Sequence, residues 1–194
     1  MALGRPRQFD QDKSLNAAML QFWRHGYAST SMQDLLNCTS LSKSSLYQSF
    51  GNKSTLFSSC LVHYQDRLIA DLEQQLSSKL SGLQFIEDLL DAVIAEAGSA
   101  DRKGCLLVNT ANELAGLDPH VAGAVDLGFG KIRKIIARAL NKAQQNGEIC
   151  CEIDVDPMAD FIVSAISGLR TMVKSGASQD RLKRVSAMLL NTLK

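Results

Sequence analysis

Between Ser42 and Lys53 the chain gathers side chains suited to one kind of partner. Ser42, Lys43, Ser44 and Ser45 stand together, Tyr47 and Gln48 follow, Lys53 comes next, and no Asp or Glu occurs between Cys38 and His63. Short hydroxyl side chains let a helix axis approach phosphates and base edges closely, and a carboxylate there would be repelled by phosphate. Gln48 is the best-placed residue for a two-pronged contact to a base edge, because few Arg, Asn or Gln side chains occupy this stretch. Affinity is then expected to come mainly from phosphates and to fall with salt.

A second reactive group is Cys105, which follows Arg102 and Lys103 just before a helix start. Cations and helix amides both favour a thiolate, the form that meets electrophiles and oxidants. A buried structural cysteine explains the same residue. The remaining cysteines show no Cys-x-x-Cys spacing, and adjacent Cys150 and Cys151 are expected to be free thiols in a reducing cytoplasm. His25, His63 and His120 have no metal-ligand spacing with one another or with the cysteines, so neither a metal nor another cofactor is expected. No Gly-x-Ser-x-Gly, His-Glu-x-x-His or phosphate-cradling glycine loop is present, which argues against an enzyme.

The elements that must hold these residues are helices. Periods near 3.6 dominate and strand-like alternation is almost absent, so the expected fold is all-α with about nine helices. A first helix over about 10–25 carries Leu15, Ala18, Met19 and Phe22 on one face, and Gly26 follows as its C-terminal cap. Thr30-Ser31-Met32-Gln33 reads as a capping box, with Thr30 capping Gln33 and Gln33 reaching back. A turn at 39–42 separates this second helix from a third over 43–50, capped by Ser42, with Leu46 and Phe50 inward. Two short helices joined by a tight turn form a helix-turn-helix. A solvated helical hairpin that binds nothing shares that periodicity; the missing acids and the placed Lys43, Tyr47 and Lys53 argue against it.

This N-terminal stretch resembles the TetR family of bacterial transcriptional regulators. The likeness is carried by Gly26-Tyr27, Thr30-Ser31-Met32, Asp34-Leu35-Leu36, Leu41 to Tyr47, Phe50, and Lys53 with Leu56. It departs at Ser40, where the family usually has glycine, and at Leu36-Asn37. The resemblance implies that Thr30 caps and touches a phosphate, and that Lys43, Ser44 and Ser45 lie at the entrance of the major groove. It further implies that Tyr47 and Lys53 meet phosphates, and that Arg5 and Arg7 form a basic arm for the flanking minor groove. It divides the chain into a DNA-binding domain over 1–52 and a ligand-sensing and dimerisation domain over 53–194.

In that second part, Asn52 caps a long helix from Lys53 to about Leu76. Asp118-Pro119 and Asp156-Pro157 each signal a helix start, and Ser178 caps the last helix. The family keeps a ligand cavity here, beside the stretch Gly104 to Asn109. Tyr64, Cys105, Asn109, Asn112 and Phe129 are the residues expected to line it. The last two helices have broad apolar faces. The resemblance implies that Phe161, Ala165, Gly168 and Leu169 on one, with Leu182, Val185 and Leu189 on the other, pair with a second copy. Burial inside one chain accounts for the same faces.

Composition sets the frame. The chain has 194 residues, 45% of them hydrophobic, with a net charge of +1, so global charge names no partner. Residues 1–53 are mildly basic and the remainder mildly acidic. No apolar leader opens the chain and no run approaches a membrane span. The expected molecule is a cytoplasmic, nucleoid-associated regulator, a repressor by family habit. It would bind a palindromic operator in double-stranded DNA as a homodimer and be released by a small-molecule or thiol-reactive inducer.

Overall fold

A computed structural model describes residues 7–194, with side chains from position 11 onward. Arg5 lies outside the described residues. Arg7 opens the first helix, and its side chain is likewise outside them. The described residues form α1 (Arg7–His25), α2 (Met32–Thr39), α3 (Lys43–Phe50), α4 (Lys53–Ser78), α5 (Gly82–Ala97) and α6 (Leu106–Thr110). A π turn (Ala111–Ala115) follows, then α7 (Pro119–Gln145), α8 (Val155–Lys174) and α9 (Gln179–Asn191). The all-α expectation is met, with no strand among the described residues.

Local chemistry explains most boundaries. Gly26 ends α1 at φ 84°, and its N–H donates to Phe22 O at 2.8 Å. Asn52 Oδ1 accepts from Thr55 N at 3.0 Å and starts α4, while Ser81, Asp118 and Ser178 cap α5, α7 and α9. The second Asp-Pro signal is offset: Asp154 caps α8, which begins at Val155, so Pro157 sits inside the first turn, where its missing N–H costs nothing.

The cap of α2 is also corrected by one residue. Ser31 Oγ accepts from Asp34 N at 3.1 Å, and Asp34 Oδ2 accepts from Ser31 N at 2.8 Å. Thr30 is fully buried and donates its hydroxyl to Gly26 O at 2.7 Å, closing the loop between α1 and α2. Gln33 turns to Asn37 instead, at 3.0 Å. A carboxylate at this position beats an amide because it is a stronger acceptor and suits the positive end of the helix.

Two apolar clusters organise the molecule, and α4 belongs to both. Leu56, Phe57, Cys60, Leu61 and Tyr64 join Ala18, Met19 and Phe22 of α1 with Leu35, Leu46 and Phe50 of the helix pair. Leu72 and Leu76 join Phe85, Ile86, Ile136, Leu140, Ile162 and Leu169 in the second cluster. Leu106 and Leu107 of α6 and Val125 of α7 complete the first cluster, so the head packs directly on the body. No helix of the described residues is long and apolar enough to cross a membrane.

Candidate DNA-reading face and ligand cavity

Leu46, fully buried, and Phe50, 9% exposed, pin α3 by its inner side. That rotation leaves Lys43, Ser44, Tyr47 and Gln48 exposed on one outer surface. The turn before α3 passes through Ser40 at φ 55°, a left-handed position where glycine is usual and serine costs some strain. Ser42 Oγ accepts from Ser45 N at 3.2 Å and lies 3.0 Å from Ser44 Oγ and 2.9 Å from Ser45 Oγ. The first turn of α3 thus carries three linked hydroxyls at the positive end of a helix, a combination that favours an anion.

Sequence reasoning left Lys53 as a plain charge. Its Nζ sits 4.4 Å from the centroid of the Tyr27 ring, which packs on Phe22 and Phe57. The ring holds the ammonium beside the start of α4 without neutralising it. Thr30, expected to touch phosphate, has no exposed surface; Ser31 is the exposed hydroxyl of that turn.

The largely apolar cavity of the body has a volume of ≈ 80 Å³ and lies among α4, α5, α6, α7 and α8. One water-sized group takes roughly 10–15 Å³ by this measure. Tyr64, Cys105 and Phe129 line it together with Leu68, Ile136 and Val163. The Tyr64 hydroxyl donates to Cys105 Sγ at 3.5 Å, and burial, followed by the nearby thiol, pushes the phenol's pKa up. Arg170 also reaches the cavity but is paired with Glu96, so the lining offers no uncompensated charge. Asn109 and Asn112 do not line it: they face a separate shallow groove with Thr171 and Lys174. Asn109 donates to Lys103 O at 3.1 Å, which turns it away.

The basic neighbours of Cys105 have partners of their own. Lys103 is held by Asp101 at 3.0 Å and lies 4.9 Å from the Trp23 ring centroid, and Arg102 donates to Ser99 O at 3.3 Å. Both cations are thus engaged away from the sulfur. Of the other thiols, Cys60 is buried and its pKa is pushed up to about 12 by burial, while Cys151 is exposed.

The apolar residues of α8 and α9 divide by direction. Leu169, Leu182 and Leu189 are 1%, 0% and 3% exposed and belong to the chain's own core, which corrects their expected place in an interface. Phe161, Gly168 and Val185 are exposed and Ala165 is half-buried; Met188, which sequence reasoning missed, is 69% exposed. On α8 the outer stripe lies about 100° around the helix from Ile162 and Leu169.

A helix-turn-helix head with an exposed second helix, joined through one long helix to a helical body with an apolar cavity, is the arrangement of a DNA-binding transcriptional regulator. The profile described as "Bacterial regulatory proteins, tetR family" matches residues 15–60, and that described as "Tetracyclin repressor-like, C-terminal domain" matches residues 82–189. The chain belongs to the TetR family. It is 31% identical over 189 residues to the HTH-type transcriptional repressor ComR of Escherichia coli (strain K12), covering 96% of this chain and 90% of that one. A solved structure of the TetR family transcriptional regulator CifR, a cysteine mutant complexed with 26bp double-strand operator DNA, is similar with TM-score 0.84 and 26% identity, over 98% of this chain and 100% of that one. The reduced form of Escherichia coli NemR shares the fold, with TM-score 0.86 at 18% identity over 94% of this chain and 96% of that one.

Proposed function

We propose that this protein is a repressor that binds a palindromic operator as a homodimer and is released by a small molecule entering the cavity. The observation that carries this reading is the outer face of α3: exposed Lys43, Ser44, Tyr47 and Gln48, locked in place by Leu46 and Phe50, with no carboxylate from Cys38 to His63. Ser42 and Ser45 shape the first turn, Lys53 adds charge at the flank, and Arg5 and Arg7 supply the basic arm. The likeness to a family member complexed with operator DNA supports the same assignment. We place the boundary between head and body at 52/53, and the site of action in the cytoplasm.

The dimer reading rests on the outward residues. Phe161, Ala165 and Gly168 of α8 and Val185 and Met188 of α9 form an uncovered apolar face, and an added Cβ at Gly168 would meet nothing within 4 Å. Such a face lets two helices approach closely across a twofold axis. Two heads then read half-sites separated by about one turn of DNA, ~34 Å, or a multiple of it.

The inducer reading rests on the cavity. Its apolar walls and internally paired polar groups suit a small neutral molecule. Cys105 Sγ in that lining adds a covalent route: an activated alkene small enough to enter would add across its C=C bond, the sulfur to one carbon and the thiol proton to the other, and the added group would crowd the Tyr64 hydroxyl that donates to this sulfur. Either ligand must bind the non-operator state more tightly, or no release follows.

The deciding experiment is a footprint on the DNA flanking the protein's own gene, with and without N-ethylmaleimide. Protection of a palindromic stretch is expected. Loss of protection with the reagent, abolished in Cys105→Ser, supports the covalent route. Release by neutral apolar molecules that persists in Cys105→Ser supports the reversible one. No protection in dilute buffer sinks the operator assignment.

A further inference from the structure

One carboxylate of the body is committed to the backbone of the head. Glu113 stands on the π turn, after α6, whose Val108 lines the cavity, and before α7, whose Phe129 lines another side of it. Its Oε2 accepts from Tyr27 N at 3.0 Å and its Oε1 from Ala28 N at 2.7 Å, across more than eighty residues of chain. Both amides belong to the loop joining α1 to α2. The carboxylate also lies over Gly26, where an added Cβ would come 3.0 Å from Glu113 Oε2. Glycine is therefore required there twice, for φ 84° and for the seat of the carboxylate.

This loop governs what the reading helices do. Tyr27, held by its amide, carries the Lys53 ammonium on its ring. Thr30, at the far end of the loop, closes on Gly26 O and precedes the cap of α2. Apolar packing joins head and body, but it is not directional, and the exposed polar ties between them are weaker. Arg24 and Asp101 pair at 3.0 Å with side chains 49% and 45% exposed, and Arg67 meets Asn16 at the surface. A carboxylate held by two backbone amides is directional and strong by comparison. Single π turns are frequent at functional sites, and this one carries Glu113 to the head.

We propose that Glu113 is a positioning residue that sets the pitch of the reading head on the body, and hence the separation of the two α3 helices in the dimer. Movement of the cavity wall formed by α6 and α7 reaches the head through this residue, alongside the path that runs through α4. The proposal rests on the operator-binding dimer, and its test separates the two.

The test uses duplexes carrying the footprinted palindrome, the same palindrome with its half-sites moved one or two base pairs apart, and a single half-site. Wild type is expected to prefer the native spacing by roughly tenfold or more. Glu113→Ala is expected to lower that preference to within about threefold while half-site affinity stays unchanged, with the thermal midpoint lowered by the loss of the two hydrogen bonds. Glu113→Gln, which keeps one acceptor oxygen, falls between them, and its Tyr27 and Ala28 amides exchange faster with solvent. Arg24→Ala, which breaks the exposed tie, keeps the wild-type preference. Undiminished spacing preference in Glu113→Ala overturns the role, as does an equal loss on the half-site, which would mean damage to the head itself. If Glu113→Ala does not fold, Glu113→Gln decides by the same criterion. Wild type that binds none of the duplexes overturns the operator assignment and the positioning role together.

Discussion

Ser31, Asp34 and Thr30 show how neighbouring polar side chains take different tasks. Ser31 and Asp34 satisfy the first amides of α2 from the surface, whereas Thr30 spends its hydroxyl inside the fold on Gly26 O. Ser31→Ala is expected to lower stability by about 1 kcal/mol in a thermal melt, the usual loss for a cap. Ser31's hydroxyl, followed by its amide, holds the Asp34 carboxyl below its ordinary value. A lowered acid pKa contributes stability that is complete above the unfolded value, about 3.9, and lost as pH falls through the lower folded value. The Ser31 amide resonance, followed by NMR, should therefore move only in strongly acid solution; a midpoint at or above the ordinary value would refute the carboxylate cap. Among the thiols, burial at about pKa 12 makes Cys60 the slow one, and exposed Cys151 should alkylate before it in a timed mass-spectrometric assay.

At the scale of elements, α8 and α9 each carry two apolar directions with different work. Leu169 fills the core, so Leu169→Ala should cost ~2–5 kcal/mol in a denaturant melt and leave the assembly mass as it was. Phe161→Asp with Met188→Asp should do the reverse: a monomer by analytical ultracentrifugation, with each folded chain nearly as stable as before. Equal loss of stability in both variants would show that the outer stripe is no interface. Both directions were legible as apolar periodicity, but a stripe that wide does not say which edge faces inward. That choice was made by α5 and α7, whose Ile86, Ile136 and Leu140 form the wall that Leu169 meets.

For the whole molecule, α4 is the mechanical link. Its 26 residues span ~39 Å at 1.5 Å each, from Lys53 beside the reading helix past Tyr64 at the cavity. Tyr64 packs edge-on against Trp23 of α1 with centroids 4.9 Å apart, so the cavity lining and the head share one side-chain stack. Operator affinity should fall steeply with salt. Tyr47→Phe with Lys53→Ala should weaken binding to every sequence and flatten the log–log salt slope by ~2 for a dimer, about one unit per lost charge. An unchanged slope in a filter-binding series would remove Lys53 from the phosphate contacts.

What the amino-acid order determined alone is what acts over a few residues. The caps at Ser42, Asn52, Asp118 and Ser178, the left-handed Gly26, and the acid-free surface of α3 all follow from interactions reaching no further than about one helical turn. What tertiary structure decided is whatever depends on a neighbour distant in the chain. It buried Thr30, turned Asn109 and Asn112 away from the cavity, set Lys103 beside the Trp23 ring, and laid Glu113 on the amides of Tyr27 and Ala28. Burial and hydrogen-bond partners across such distances are set by how whole helices pack, and helical periodicity carries only the face of each helix, not the identity of what meets it.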